Sequence, residues 1–441
     1  MPTSLWRRPA VLGIMILVVG SIVEWLRLSP ADQGTLWAED ARNFLGNAVE
    51  HGIASLATPY AGYLHTVPRL IANGTVAVVP VAGWATAMAF GACLVAAGVA
   101  ALVFTCARDV VPSTILRLGL AAVTLLVPLA PREVLGNTAN LHWYFLWLAP
   151  WLLLYRPRTR TGTWLLAGAA LLATMTEIQM ALFIPLMLWR WREGRMLPVR
   201  ILYIVGVAAQ LLATLSDPRG GSSASPVPIA SVAYGYLINA VMTSWTADPN
   251  VIAWMLGVAG PIAGIVLLLP FAAAAVVGLL RGSRLQRLMI GVCIGGSMAF
   301  YAIAVEVSPG SFYDYATMSD SQLDAPWLAR YGVVPSMFLL ALVPLALAAL
   351  ARPRGVAAAR AAGGVRARTV LLPAITLVVL AAVLVGNFSS AVSRRSNGPR
   401  WQPQVVSMEA YCDLAAPGAA YRLYGAPSTT WKIDVPCSRV P

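Results

Sequence analysis

Long apolar runs, each close to the length that crosses a bilayer, alternate with short basic segments along most of the chain. A span needs about 20 mostly apolar residues to cross roughly 30 Å of hydrocarbon. Such runs fall at 9–28, 83–106, 114–130, 142–155, 163–176, 178–189, 199–215, 251–280, 285–305, 332–351 and 369–388. They predict about eleven transmembrane helices and an all-α polytopic membrane protein. The first run follows Arg7 and Arg8 and ends in Trp25-Leu26-Arg27 with no small-residue cleavage site, so it reads as a retained helix rather than a secretory signal. The two runs flanking Glu177 also read as one long broken segment. No internal repeat marks two inverted halves.

Composition removes the soluble alternatives. Hydrophobic residues make up 59% of the 441 positions and charged residues only 11%, against about 25% charged in an ordinary soluble domain. The formal net charge of +13 would suit a nucleic-acid binder, but such proteins gather their charge on a solvated face. Here the cations stand between spans, and no nucleic-acid partner is expected. With the N-terminus inside, the cytoplasmic segments hold Arg7, Arg8, Arg108, Arg117, Arg156, Arg158, Arg160, Arg190, Arg192, Arg195, Arg200, Arg281, Arg284, Arg287, Arg352, Arg354, Arg360, Arg366 and Arg368. Of the 18 acids, only Asp109 and Glu193 join them. This asymmetry is the positive-inside rule, and it predicts a cytoplasmic N-terminus and an extracytoplasmic C-terminus in a bacterial cell membrane.

Loop lengths put the chemistry on the outer face. Cytoplasmic connections are short up to the Ala/Gly/Arg-rich stretch 352–368, whereas 29–82, 215–250, 306–331 and 389–441 are long. Long loops that are not linkers tend to carry function. The chain therefore divides into a transmembrane domain, 1–388, and a small outer tail, 389–441. Cys93, Cys106 and Cys293 fall inside spans and act as small apolar residues. Cys412 and Cys437 lie in the tail, where a disulfide would persist and would contribute about 3 kcal/mol by closing its loop.

The first outer loop is the most informative segment. It carries Glu39-Asp40, then Tyr60, Tyr63, His65 and Arg69. A partly desolvated carboxylate at the membrane surface can take a proton from a hydroxyl. The same pair could simply favour the N-terminus of a helix over 39–51. Two hydroxyls, an imidazole and a phosphate-competent guanidinium in one loop move the balance toward chemistry. A second cluster holds Arg132, Glu133, Asn137, Asn140, His142 and Trp143, followed by Tyr144, Phe145, Trp147 and Trp151. It reads equally as an interfacial aromatic belt or as a shelf for a sugar ring. Glu177 interrupts an apolar stretch, where an ionisable group is a functional hypothesis by default. Arg330-Tyr331 precedes a span and could meet lipid headgroups or a lipid-linked phosphate. Asp314, Asp320 and Asp324 have no metal-ligand spacing, and no Gly-rich phosphate loop occurs. No cofactor is expected, and a divalent metal stays open.

The string from Trp37-Ala38-Glu39-Asp40 through Pro59-Tyr60-Ala61-Gly62-Tyr63-Leu64-His65 and Pro68-Arg69 resembles that of the GT-C superfamily, in particular its GtrII-like and related bacterial members. Asn140-Leu141-His142-Trp143 and Arg330-Tyr331 are similar too. The resemblance covers the layout of most of the chain, although the specific motifs total only about 40 residues. It implies a membrane glycosyltransferase that moves a sugar from a polyprenyl-phosphate donor to an envelope glycan or glycolipid. It further implies that an acid of the first loop, Asp40 or Glu39, is the catalytic base. Arg330 and Arg69 would then hold the donor phosphate, with Tyr60, Tyr63, His65, Asn140, His142, Trp143, Glu177 and Tyr331 around sugar and acceptor. Unlike metal-dependent members, this loop lacks an Asp-X-Asp element. A chain with Lys432 as its one lysine among 31 basic residues suits a GC-rich bacterial genome, as in actinobacteria.

Two rivals remain at this stage. A flippase for a lipid-linked sugar would place ionisable groups deep in several spans, yet Glu24, Glu177 and Glu306 lie near span ends. The second is an acyltransferase or a polysaccharide polymerase; an acyltransferase would bury a catalytic histidine deep in the membrane, yet His51, His65 and His142 all sit toward the outer face.

Overall fold

The computed structural model describes residues 9–220, 224–351, 366–389 and 392–439. Arg7, Arg8, Arg352, Arg354 and Arg360 of the expected cytoplasmic set lie outside them. The chain is mostly helical. Among the described residues, seven helices are long and apolar enough to cross a membrane: Ala10–Arg27, Val81–Asp109, Thr114–Glu133, Gly194–Ser216, Pro261–Arg281, Arg284–Val307 and Arg330–Leu350. This is a membrane protein, with apolar faces that require a lipid environment. On the first helix Ile14, Val18, Val19, Ile22 and Leu26 are exposed, as on a surface that meets acyl chains rather than water.

The elements group into two compact units, one made of 1–99, 131–221 and 391–441, the other of 100–130 and 222–390. Within the second unit, Val333–Leu350 is buried nearly all round and packs against both Pro261–Arg281 and Arg284–Val307. Ser283 starts the latter helix with a capping box shared with Gln286, which satisfies donors that the first turn cannot.

The structure departs from the hydrophobic pattern in three places. The run 251–280 is two helices, Pro249–Ala259 and Pro261–Arg281, broken where Gly260 takes φ 53° ahead of a proline. The run 178–189 forms an 11-residue 3₁₀ segment, Ile178–Leu188, which contains Pro185. A further helical segment, Ile229–Ser244, is buried in the second unit through Asn239, Thr243 and Ser244. Asn239 receives no partner from its own turn for its side-chain oxygen and instead accepts from the Ala329 N–H at 2.7 Å.

In the first unit, the tail and the first loop share one core. Leu36, Trp37, Phe44 and Trp84 pack with Trp401, Val405, Met408, Leu423, Ile433 and Val435. The tail comprises a helix, Trp401–Cys412, and an antiparallel pair, Ala420–Tyr424 with Lys432–Pro436. A disulfide between Cys412 and Cys437, with Cα atoms 5.3 Å apart, ties the helix end to the turn that follows the second strand. Trp401 donates its indole N–H to the Val81 carbonyl at 2.7 Å, and the Ala426 N–H reaches the Leu36 carbonyl at 2.8 Å. These bonds hold the first loop against the tail.

Candidate functional site

The first unit brings together most of the singled-out polar residues. Their frame is a tight turn in which the Tyr60 N–H donates to the Tyr63 carbonyl at 2.9 Å and the Tyr63 N–H to the Tyr60 carbonyl at 3.2 Å. Ala61 and Gly62 take φ 51° and 88°, the paired left-handed geometry of a two-residue hairpin turn. His65 also stands in the left-handed region at φ 54°, an arrangement that costs energy for a non-glycine residue. The surroundings supply the constraint. Thr214 donates to the Gly62 carbonyl at 2.6 Å, Gln210 accepts from the Leu64 N–H at 2.9 Å, and the Thr66 N–H and hydroxyl both reach the Met175 carbonyl.

This frame aims side chains inward from several elements. The Tyr63 and His65 rings lie tilted at 32° with centroids 3.8 Å apart, and the His65 ring lies 5.6 Å from Tyr60 and 5.4 Å from Phe44. His65 is buried, with Nε2 3.2 Å from the Tyr60 carbonyl and no partner for Nδ1. Burial, reinforced by His142 and Arg69, pushes its imidazole well below the usual histidine range, which makes it neutral near pH 7. Arg69, on the helix Thr66–Val78, is 0% exposed. Its Nε donates to the Leu64 carbonyl at 3.0 Å and its guanidinium lies over Phe44, yet Nη1 and Nη2 have no partner. Burial lowers its pKa to about 10, so it stays cationic at neutral pH. A buried guanidinium with two idle nitrogens is half of a charge-assisted pair and fits a phosphate or carboxylate.

The neighbouring acids play different parts. Asp40 begins a π-helical turn, Asp40–Leu45, and is buried. Its Oδ1 accepts from the Thr138 hydroxyl at 2.7 Å and the Ala139 N–H at 2.9 Å, and its Oδ2 from the Thr138 N–H at 2.9 Å. All three donors stand at the turn before the helix Leu141–Leu154. Burial nonetheless lifts the Asp40 carboxyl to about 6. Glu39 differs: its Oε2 is buried with no hydrogen-bond partner, and its charge acts on Tyr60, whose phenol is pushed up by burial first and by Glu39 second.

His142 and Glu177, singled out separately in the sequence, form a pair. His142 Nδ1 is 2.6 Å from Glu177 Oε2, and Glu177 Oε1 accepts from the Gln179 N–H at 2.7 Å. The His142 ring rests against Trp143 and lies 6.5 Å from Tyr63. Asn140 and Trp143 face the interior: both are buried, and the Trp143 indole N–H donates to Asn140 Oδ1 at 3.2 Å. Tyr144, Trp147 and Trp151 are also buried, so the aromatic run is packing rather than an exposed shelf.

Arg330 and Tyr331 belong to the second unit, where the guanidinium lies 5.4 Å from the centre of the Tyr331 ring. Among the described residues no group of three or more His, Cys, Asp or Glu side chains could hold a metal ion.

Sequence reading missed Thr138, which fixes Asp40, and Gln210, whose side chain holds the turn. It also missed Arg395, buried and bonded to the Leu135 and Gly136 carbonyls at 2.7 Å each. Each lies far in sequence from what it touches; Gln210 alone gave a signal, as a polar break in an apolar helix, whereas Thr138 and Arg395 stand in polar stretches that read as loop. No protein-family model matches the chain, and no curated protein matches it.

Proposed function

We propose that this protein is a membrane glycosyltransferase of GT-C type, moving a sugar from a polyprenyl-phosphate donor to a cell-envelope glycan or glycolipid on the extracytoplasmic face. The observation that carries the reading is Arg69, a fully buried guanidinium whose two terminal nitrogens lack partners, lying over Phe44, whose ring also borders His65 in the cluster with Tyr60 and Tyr63. Such a group is costly to keep unless an anion completes it. A departing polyprenyl phosphate gains negative charge as the sugar–oxygen bond breaks, so a fixed cation there stabilises the transition state more than the ground state. The tyrosines and the neutral His65 offer donors and ring faces to a sugar.

Between the two first-loop acids, the base is Glu39. Asp40 accepts three hydrogen bonds and fixes the turn at Thr138, whereas Glu39 keeps a buried oxygen free beside Tyr60. Glu39 takes the proton of the acceptor hydroxyl as its oxygen attacks the anomeric carbon, and the bond electrons leave with the phosphate. No metal is required by this scheme.

Purified protein in nanodiscs, given a radiolabelled polyprenyl-phosphate sugar and membrane acceptors, should transfer label. Glu39→Gln should reduce transfer by about 10²-fold or more, the usual contribution of a general base. Labelled lipid that crosses liposomes without any transfer would replace this reading with a flippase.

A further inference from the structure

The site holds a second proton acceptor that sugar transfer by Glu39 leaves unused. His142 Nδ1 lies 2.6 Å from Glu177 Oε2, and the other Glu177 oxygen is fixed by the Gln179 N–H at 2.7 Å. A carboxylate held in this way sets the imidazole tautomer: Nδ1 carries the proton toward Glu177, and Nε2 presents a lone pair. Ring contact with Trp143 limits rotation. The His142 side chain is 11% exposed while Glu177 is 2% exposed, so water reaches the imidazole but not its carboxylate. The pair borders the same aromatic cluster: the His142 ring lies 6.5 Å from that of Tyr63, which in turn is 3.8 Å from His65.

We infer that His142, positioned by Glu177, activates water and gives the protein a second activity, hydrolysis of its own lipid-linked sugar donor. The inference rests on the proposed reading of the site. In this step the water oxygen bonds to the anomeric carbon and its proton passes to His142 Nε2. The bond between that carbon and the phosphate oxygen breaks, and its electron pair leaves on the polyprenyl phosphate beside Arg69. The products are free sugar and polyprenyl phosphate. An acceptor hydroxyl, when present, competes with water for the same anomeric carbon, so hydrolysis is the minor path whenever acceptor is abundant. Glu177 acts as a positioning residue and His142 as the catalytic one.

The test uses the full-length protein in nanodiscs with radiolabelled polyprenyl-phosphate sugar, with and without membrane acceptors, and reads free sugar and transferred sugar separately. Wild type should release free sugar when acceptor is withheld. His142→Asn keeps a donor for Glu177 and removes the second ring nitrogen. It should lower the ratio of hydrolysis to transfer at least tenfold, and Glu177→Gln should lower it in the same direction by reducing kcat for hydrolysis with little change in KM. Glu39→Gln should raise the ratio. A wild type that transfers sugar but releases none, or a ratio unchanged by His142→Asn in protein that elutes as wild type, overturns the inference and leaves the glycosyltransferase reading standing. A wild type that neither transfers nor releases sugar overturns both.

Discussion

Asp40 is bonded through both carboxylate oxygens to Thr138, 98 residues further along the chain, taking its N–H at 2.9 Å and its hydroxyl at 2.7 Å. That contact makes Asp40 a structural pin between the first loop and the turn leading to His142. Asp40→Asn turns one acceptor into a donor facing donors, and a buried group left unsatisfied costs about 1–3 kcal/mol. The thermal midpoint of Asp40→Asn should fall accordingly, while Glu39→Gln, whose buried Oε2 has no hydrogen bond to lose, should leave it within the error of the measurement.

The pin should also titrate. The Asp40 carboxyl rises from its usual 3.8 to about 6 because burial penalises the charged form more than its three donors favour it. A group raised on folding contributes stability that is fully present below about pH 4 and is lost as pH climbs through 6. Asn at this position does not titrate. Unfolding midpoints of wild type and Asp40→Asn, measured from pH 4 to 7, should therefore approach each other as pH rises. A gap that widens would show that the carboxylate, rather than the acid, is the form the fold prefers.

Arg69 presents the reverse case, a residue that costs stability until a ligand arrives. Its two terminal nitrogens are buried without partners. A short-chain polyprenyl phosphate should raise the thermal midpoint of the wild type, by up to about 3 kcal/mol of binding-linked stability at a hundredfold excess over Kd. Arg69→Met should abolish that shift and reduce transfer by about 10²-fold or more, the usual effect of removing one preorganised donor to a developing anion. An equal ligand-induced shift in both proteins would remove Arg69 from the phosphate site.

Much of this was legible in the chain and some was not, for identifiable reasons. Helices such as Ala10–Arg27 and Arg284–Val307 were plain because a bilayer demands length and apolarity, and both are local properties of sequence. The break at Gly260-Pro261 was also present in the sequence, but a continuous apolar run masked it. Ile229–Ser244 was hidden because its polar side chains look like a loop until their partners are known, as with Asn239 and the Ala329 N–H. Within the site, residue types drew attention to Glu39, Asp40, His65, Arg69, His142 and Glu177. Their division of labour depends on contacts across the fold: Thr138 occupies Asp40, and Glu177 holds His142. No spacing rule encodes pairings 98 or 35 residues apart.

Arg395 ties the tail to the same turn. It is buried, donates to the Leu135 and Gly136 carbonyls at 2.7 Å each, and lies 3.9 Å from Asp32. Removing one partner from a buried charge cluster is costly because the other charge is left uncompensated, at about 3–5 kcal/mol. Arg395→Met should destabilise the protein by that order in thermal unfolding. Arg395→Lys should recover only part of the loss, since an ammonium cannot span two carbonyls with the guanidinium's fixed fork.

The turn at Gly62 offers a way to disturb the site without touching a reactive group. Gly62 takes φ 88°, and a Cβ there would lie 3.2 Å from the Arg219 nitrogen and 3.3 Å from the Arg219 Cβ. Both the backbone conformation and the close approach require glycine, so Gly62→Ala must shift the turn. The shift moves Tyr63 and His65 relative to Arg69 and His142, while the bonds that join the tail to the first loop at Trp401–Val81 and Ala426–Leu36 are left in place. Positioning errors of about 1 Å can cost 10²-fold in rate. Gly62→Ala should therefore reduce sugar transfer by one to two orders of magnitude while costing only about 1–3 kcal/mol of stability, the range for a strained backbone position. Transfer assays and thermal unfolding on the same preparation separate the two effects. Full transfer in a protein destabilised by this amount would mean that the Tyr60–Tyr63 turn does not position the reacting groups.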